Sequence, residues 1–80
     1  MITWQVWKTK MKNKVGKVLK ELRIEKGLSQ AELAEKLNNE ISPSAIGLWE
    51  LNKRIPTIES CIILADFFGV TLDYLAGRED

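Results

Sequence analysis

Apolar residues recur every three or four positions through most of this chain, which is the spacing of helices that bury one face. Val15, Val18, Leu19 and Leu22 fall at positions i, i+3, i+4 and i+7, and they predict an amphipathic first helix. Gly27 is expected to end this helix, because glycine readily adopts the left-handed conformation that follows a helix. The pattern thus predicts a helical fold from its first regular segment onward.

A second helix is predicted over "LSQAELAEKL", where two independent start signals overlap. Ser29 and Glu32 have the spacing of a capping box, in which each side chain bonds the backbone N–H of the other residue. Leu28 and Leu33 occupy the positions of a hydrophobic staple. The expected buried face of this helix consists of Leu33, Ala34 and Leu37.

The segment "NNEIS" separates the second helix from a third, because Asn38 and Asn39 tolerate left-handed backbone and disfavour a helix interior. Ser42 is expected to cap the third helix, with Pro43 at the first helical position, where its missing N–H costs nothing. Asn52 suits the left-handed residue after this helix. The side chains expected to point inward from it are Ile46 and Trp49.

A fourth helix, "IESCIILADFF", is predicted between a Thr57 cap and Gly69, and Thr71 is expected to cap a short fifth helix. Ile63 and Phe67 fall at i and i+4, so they form one apolar stripe on the fourth helix. A stripe of this kind is seldom left in water, so we expect the amino-terminal arm or a second subunit to cover it. The core face of the fourth helix is assigned to Ile58, Ile62, Ala65 and Phe68.

The chain divides into an amino-terminal arm, residues 1–13, and one helical domain, residues 14–80. The arm is rich in β-forming residues, yet Trp4, Trp7 and Met11 also follow helical spacing, so its secondary structure is left open. Two tryptophans carry a large apolar surface, which favours an ordered arm over a dispensable upstream addition. The expected fold class is all-α, with five short helices around one core.

The composition, with 45% hydrophobic and 29% charged residues, is that of an ordinary globular chain. No apolar run reaches the length of a membrane span and the first residues lack signal-peptide features, so we expect a cytoplasmic protein without a membrane partner. Histidine is absent and Cys61 is the single cysteine, which excludes intrachain disulfides and argues against zinc sites and acid–base catalysis. We therefore expect neither an enzyme nor a cofactor, and Cys61 is expected to be a packing residue.

Charge is distributed unevenly along the chain, although the net charge is only +1. Residues 1–26 carry eight basic and two acidic side chains, or +6, whereas residues 27–80 carry four basic and nine acidic ones, or −5. Such polarity is typical of a surface directed at phosphate or an acidic partner. Lysines that merely solvate a helix and an arm would give the same asymmetry.

Three stretches of the sequence resemble, in order and spacing, the Cro and phage-repressor type of helix-turn-helix domain, often called the XRE-like family. They cover roughly residues 15–78 and read "LKELRIEKGLSQAELAEKL", "SPSAIGLWELNKRIP" and "IILADFFGVTLDYLAGR". The resemblance implies a lambda-repressor-like fold in which the second helix lies across the DNA backbone and the third enters the major groove. It also implies a homodimer on a pseudo-palindromic operator of double-stranded DNA.

The positions through which this family contacts DNA carry over to named residues. The base-facing positions are Ser42, Pro43, Ser44, Gly47 and Leu48. The positions near phosphates are Gln30, Lys53, Arg54 and, on the basic first helix, Lys17. Trp49 and Glu50 match the family's recurrent Trp-Glu pair, and we expect the Glu50 carboxylate to bond a neighbouring loop. The apolar stripe predicts a dimer interface that includes Ile63, Phe67 and Tyr74.

The sequence departs from the family pattern in ways that bear on function. The turn "NNEIS" is longer than the family's usual glycine-containing turn, and Leu48, Leu51, Ile63 and Phe67 replace side chains that are commonly polar. Of the base-facing residues, Ser44 offers one adaptable hydroxyl and Leu48 can contact only a thymine methyl. Either phosphate contacts and DNA shape supply most of the binding, or the third helix has become a protein-binding surface.

The function most consistent with the sequence is sequence-specific DNA binding by a dimeric transcriptional regulator, specifically a repressor of phage or mobile-element type. The alternative is a protein-interaction module, such as the antitoxin of a toxin–antitoxin pair, whose apolar helix faces would bind a protein partner.

Overall fold

Five helices follow one another in residues 14–77, the part of the chain that the computed structural model describes. They are α1 (Val15–Glu25), α2 (Gln30–Lys36), α3 (Pro43–Glu50), α4 (Ile58–Phe68) and α5 (Leu72–Leu75). No strand occurs in this range, which confirms the predicted all-α class. The predictions for the arm, including Trp4 and Trp7, lie outside the described residues.

Side-chain caps begin four of the helices, each at the residue that local sequence predicts. The hydroxyl of Ser29 accepts a hydrogen bond from the backbone N–H of Glu32 at 3.0 Å, and the Glu32 carboxylate accepts one from the Ser29 N–H at 2.9 Å. This is the complete capping box. The other three capping residues are Ser42, Thr57 and Thr71.

Left-handed residues end or separate the helices as the sequence predicts. Gly27 and Gly69 follow α1 and α4 with φ values of 69° and 68°. Asn38, Asn39 and Asn52 each have a φ of 59°, which asparagine tolerates better than most residues. The asparagines precede and follow α3, so backbone torsions direct the chain into and out of that helix.

The core gathers apolar side chains from every helix and from the turn between α2 and α3. Leu19, Leu33, Ile46, Leu64 and Leu75 are fully buried, one from each helix in turn. The inward-facing pair of α3 is confirmed, since Ile46 is 0% and Trp49 is 7% exposed. A single core therefore holds all five helices of residues 14–77 together.

The predicted core face of α4 is wrong in part. Cys61, Leu64 and Ala65 are the buried residues of this helix, whereas Ile58 is 39% and Ile62 is 45% exposed. Because eight of the eleven residues of α4 are apolar, hydrophobic periodicity alone does not identify the buried face, and packing against neighbours such as α5 decides it. Phe68 does pack against the core.

α1 and α3 approach each other so closely that only glycine fits at the point of contact. A Cβ atom on Gly16 would overlap the backbone carbonyl of Trp49 and lie 2.8 Å from Oδ1 of Asn52. Gly16 is buried, and Lys17 beside it is exposed. This contact sets the end of α3 against the start of α1.

Candidate nucleic-acid interface

α2 and α3 pack against each other across a turn that contributes a side chain to the core. Leu33 of α2 and Ile46 of α3 are fully buried, and Ile41 of the intervening turn is only 4% exposed. Helical periodicity does not predict a buried Ile41, although an isoleucine within the polar segment "NNEIS" is a usable signal. Since the turn is seated in the core, the lengthened connection still holds α2 and α3 in a fixed relation.

The outer face of α3 lies opposite its two buried residues, Ile46 and Trp49. Four residues form this outer face: Ser44, Gly47, Leu48 and Leu51. Ser44 is exposed and Leu51 is 66% exposed, whereas Leu48 is half-buried. Pro43 at the start of α3 is exposed, and the Ser42 hydroxyl accepts the capping bond from the Ala45 N–H at 3.1 Å. Ser44 is therefore the one outer-face side chain that can hydrogen-bond a base.

The carboxylate of Glu50, in the last turn of α3, pairs with Arg23 of α1. Arg23 donates from Nε to Glu50 Oε2 at 2.7 Å and from Nη2 to Oε1 at 2.9 Å. The same guanidinium donates from Nη1 to the Leu28 carbonyl at 2.8 Å. The hydrogen bonds to Glu50 raise the pKa of Arg23. The expected loop partner of Glu50 is thus corrected to a helix residue. Arg23 follows Leu22, which is partly buried against the core, and this neighbour on the inner side of α1 is the sequence signal for its role.

Gln30, the first residue of α2, also reaches Glu50. Its Nε2 donates to Glu50 Oε1 at 3.2 Å, and its amide lies against Gly47 of α3. Arg23, Gln30 and Glu50 therefore form one polar cluster that joins α1, α2 and α3. Gln30 thus lies beside the outer face of α3, and its hydrogen-bond partner within the domain is a carboxylate.

Of the three cations predicted near phosphates, Lys53 and Arg54 lie in the loop after α3. The backbone N–H groups of Lys53 and Arg54 point at the Leu48 carbonyl, at 2.9 and 3.4 Å, so the loop turns back onto α3. Both side chains are exposed, as is Lys17 on α1. The structure thus leaves all three cations at the surface, with Lys53 and Arg54 adjoining the exposed end of α3.

The residues predicted for a dimer interface differ in exposure. Ile63 and Phe67 are half-buried and pack against the core, and the Phe67 ring meets Phe68 edge-on at 5.0 Å between centroids. Lys26 Nζ lies 5.5 Å from the Phe67 ring centroid, a cation–π distance. Tyr74 is 42% exposed, and Ile62, which the sequence places in the core, is more exposed than either member of the stripe.

Cys61 is buried, in agreement with the expectation that it packs. Burial raises the pKa of its thiol to about 11, so it is protonated at neutral pH and is a poor nucleophile.

A short helix, an ordered turn and a second helix with an exposed outer face, supported by three further helices, define a helix-turn-helix DNA-binding domain. The helix-turn-helix family model matches residues 19–75, which is most of the chain. This protein belongs to that family, in its Cro and phage-repressor branch, and residues 19–75 form its DNA-binding helix-turn-helix domain.

Its relatives are described as regulators of transcription. It is 42% identical over 62 residues to the HTH-type transcriptional activator BcrR of Enterococcus faecalis, covering 78% of this chain and 29% of that protein. It is 36% identical over 66 residues to the HTH-type transcriptional regulator ImmR of Bacillus subtilis, covering 82% of this chain and 50% of the relative. It is 38% identical over 69 residues to the HTH-type transcriptional regulator RamB of Mycobacterium tuberculosis, covering 86% of this chain and 14% of the relative.

The chain thus spans half or less of the length of these three relatives. No solved structure matches this protein significantly. Every helix in residues 14–77 falls short, in length or hydropathy, of what a bilayer-spanning segment requires.

Proposed function

We propose that this protein binds a specific operator in double-stranded DNA and regulates transcription from it, with α3 in the major groove. The observation that carries the proposal is the exposed outer face of α3, from Ser44 to Leu51, beside the exposed cations Lys53 and Arg54. A surface of this form matches the geometry in which one helix enters the groove while its flanking loop lies along the backbone.

Affinity comes chiefly from phosphate contacts. Lys53, Arg54 and Lys17 are the cations that contact the backbone, and each contact releases condensed counterions. Side chains that touch only phosphate fix the register of α3 but carry no sequence information. Binding is therefore expected to weaken steeply as salt concentration rises.

Base recognition by the outer face itself is sparse. The Ser44 hydroxyl makes one adaptable hydrogen bond, and Leu51 and the exposed part of Leu48 can contact thymine methyl groups. The remaining specificity comes from the shape and deformability of the operator. The outer face is therefore expected to prefer only a few base pairs per half-site, each modestly.

The protein binds its operator as a homodimer. Two copies of α3 can enter successive major grooves on one side of the duplex only when they lie about 34 Å apart, which a two-fold dimer achieves. The carboxy-terminal half supplies the interface, with Tyr74 and the outward parts of Ile63 and Phe67, and with Ile62 added because it is exposed.

Repression is the proposed mode of regulation, in the manner of phage and mobile-element repressors. Occupation of an operator that overlaps a promoter excludes polymerase by steric hindrance alone. Activation requires, in addition, a productive contact with the transcription machinery. Repression therefore requires of the described residues only that they bind the operator. The relative BcrR, by contrast, is named an activator.

A binding selection from random duplex DNA tests the proposal directly. The expected product is a pseudo-palindrome whose half-site centres lie about 10 base pairs apart. Placing this sequence over a reporter promoter should lower expression when the protein is present, and the same sequence far upstream should not. A selection that enriches no sequence would contradict specific binding, and a rise in expression from the overlapping site would contradict repression.

A further inference from the structure

The outer face of α3 carries little that can recognise a base, yet a side chain from another helix rests beside it. Gln30 extends from the start of α2 to α3, where its Nε2 donates to Glu50 Oε1 at 3.2 Å. Gly47 lies three residues after Ser44 and four before Leu51, so these residues adjoin on one side of α3. The amide of Gln30 therefore lies at the border of the surface that faces DNA.

Gly47 has no side chain, and the Gln30 amide occupies the space that a side chain would need. A Cβ atom at Gly47 would lie 3.3 Å from Oε1, 3.6 Å from Nε2 and 3.7 Å from Cδ of Gln30. Because these distances are similar, the amide presents largely its face to Gly47, while its nitrogen reaches Glu50 at the end of the same helix. A glycine in a helix interior costs stability, and here it makes room for the side chain of Gln30.

Glu50 fixes which way round the amide lies. Its carboxylate accepts hydrogen bonds and is itself held by Arg23 through contacts of 2.7 and 2.9 Å. It therefore binds the amide nitrogen of Gln30 rather than the oxygen. One Nε2 hydrogen is committed to Glu50, and within residues 14–77 Oε1 accepts no hydrogen bond. An N–H donor and a C=O acceptor are left side by side on the free edge.

We propose that Gln30 is a base-reading residue and that it recognises adenine in the major groove. The free donor and acceptor match the N7 acceptor and the N6 amino donor of adenine, which glutamine binds in bidentate fashion. The inference rests on the proposed function, since α3 must enter the groove for the amide to reach a base. It gives Gln30 a role other than the phosphate contact that family resemblance implies, and it supplies hydrogen bonding that α3 lacks.

The test is a binding selection on the wild-type chain, followed by anisotropy titrations of single-base variants of the selected duplex against Gln30→Ala, Gly47→Ala and Ser44→Ala. Wild type should prefer A·T at one position of each half-site by roughly tenfold, as expected for one bidentate pair. Gln30→Ala should abolish that preference and leave the others intact. Gly47→Ala, whose Cβ pushes the amide outward, should weaken the same preference. Ser44→Ala is the matched control, because it should relax a different position. Circular dichroism melting confirms that each variant is folded.

The outcomes separate the two proposals. If wild type selects a motif but Gln30→Ala lowers affinity equally for every sequence, Gln30 contacts phosphate and the adenine assignment is wrong. Unchanged preferences in Gln30→Ala would also overturn the assignment while leaving the proposed function in place. If wild type enriches no motif at all, the proposed function fails and this inference fails with it.

Discussion

Arg23 and Glu50, 27 residues apart in the chain, meet through two hydrogen bonds of 2.7 and 2.9 Å between α1 and the end of α3. Their side chains are only 12% and 5% exposed, so each charge depends on the other for compensation. Removing one partner leaves a charge with little access to water, which costs more than the pair itself contributes.

Replacement of Glu50 by Ala is therefore expected to lower the free energy of unfolding by roughly 3 kcal/mol. Urea denaturation followed by circular dichroism measures this change. The double variant Arg23→Met with Glu50→Leu should recover much of the loss, because apolar side chains of similar size need no compensation. If the double variant is as unstable as Glu50→Ala, the loss of stability does not come from an uncompensated Arg23 charge. The hydrogen bonds of the pair would then themselves stabilise the domain.

A neutral residue at position 53 should weaken binding to every DNA sequence alike. Lys53→Ala removes one proposed phosphate contact, so the slope of log K against log salt should fall by about 0.9. Anisotropy titrations of a selected and a scrambled duplex over a range of salt concentrations provide the measurement. Lys36→Ala is the control of equal charge change, because Lys36 is exposed at the end of α2 and is not one of the proposed phosphate contacts. Equal slopes for wild type and Lys53→Ala would remove Lys53 from the interface.

Self-association should depend on the exposed apolar residues of the carboxy-terminal half. Burying one large apolar side chain contributes about 1.5–3 kcal/mol, so a few of them on each subunit support a dimer at about micromolar concentration. Ile62→Lys and Tyr74→Lys should give folded monomers in sedimentation equilibrium. Ile63→Lys is the contrasting variant, because Ile63 also packs against the core and its loss should lower the melting temperature as well. A wild-type chain that stays monomeric at high concentration would contradict the dimer. The apolar surface would then be assigned to contact with a different protein.

Any side chain at position 16 should separate α1 from α3. Gly16→Ala places a Cβ against the Trp49 carbonyl, and overpacking of this kind costs about 1–3 kcal/mol. The expected fall in melting temperature is about 4–8 °C per kcal/mol for a domain of this size. Lys20→Ala, at an exposed position of the same helix, should stay within about 0.5 kcal/mol of wild type. An unaltered melting temperature for Gly16→Ala would contradict the close contact.

The capping box of α2 should make stability depend on pH in the acid range. The backbone N–H of Ser29 lowers the pKa of the Glu32 carboxyl from its ordinary 4.5. A group whose pKa is lower in the folded state contributes stability above its unfolded pKa, and that contribution is lost as pH falls through the folded value. The difference in unfolding midpoint between wild type and Glu32→Gln should therefore shrink as pH falls below about 4.5. Ser29→Ala should keep most of this pH dependence, because the hydrogen bond from the backbone N–H of residue 29 to the Glu32 carboxylate remains. A difference between wild type and Glu32→Gln that does not change with pH would contradict this role of the Glu32 carboxylate.

Local signals in the sequence predict the helix boundaries well, because a cap acts within four residues. Ser29, Ser42, Thr57 and Thr71 all cap as their spacing indicates. The buried face of α4 is not predictable in the same way, since eight of its eleven residues are apolar and the contrast between its faces is weak. The polar cluster around Glu50 escapes sequence analysis for another reason. Its members are brought together only by packing, and Arg23 alone looks like one more surface cation of α1.

The residues that position α3 are different from the residues that form its outer face. Asn38, Asn39 and Asn52 set its entry and exit by backbone torsion, and Ile46 and Trp49 anchor it from beneath. Residues on the outer face, such as Ser44 and Leu51, take no part in either task. Mutation can therefore exchange them one at a time without disturbing the scaffold, and a lineage carrying this domain can drift to a new operator through intermediates that all remain folded.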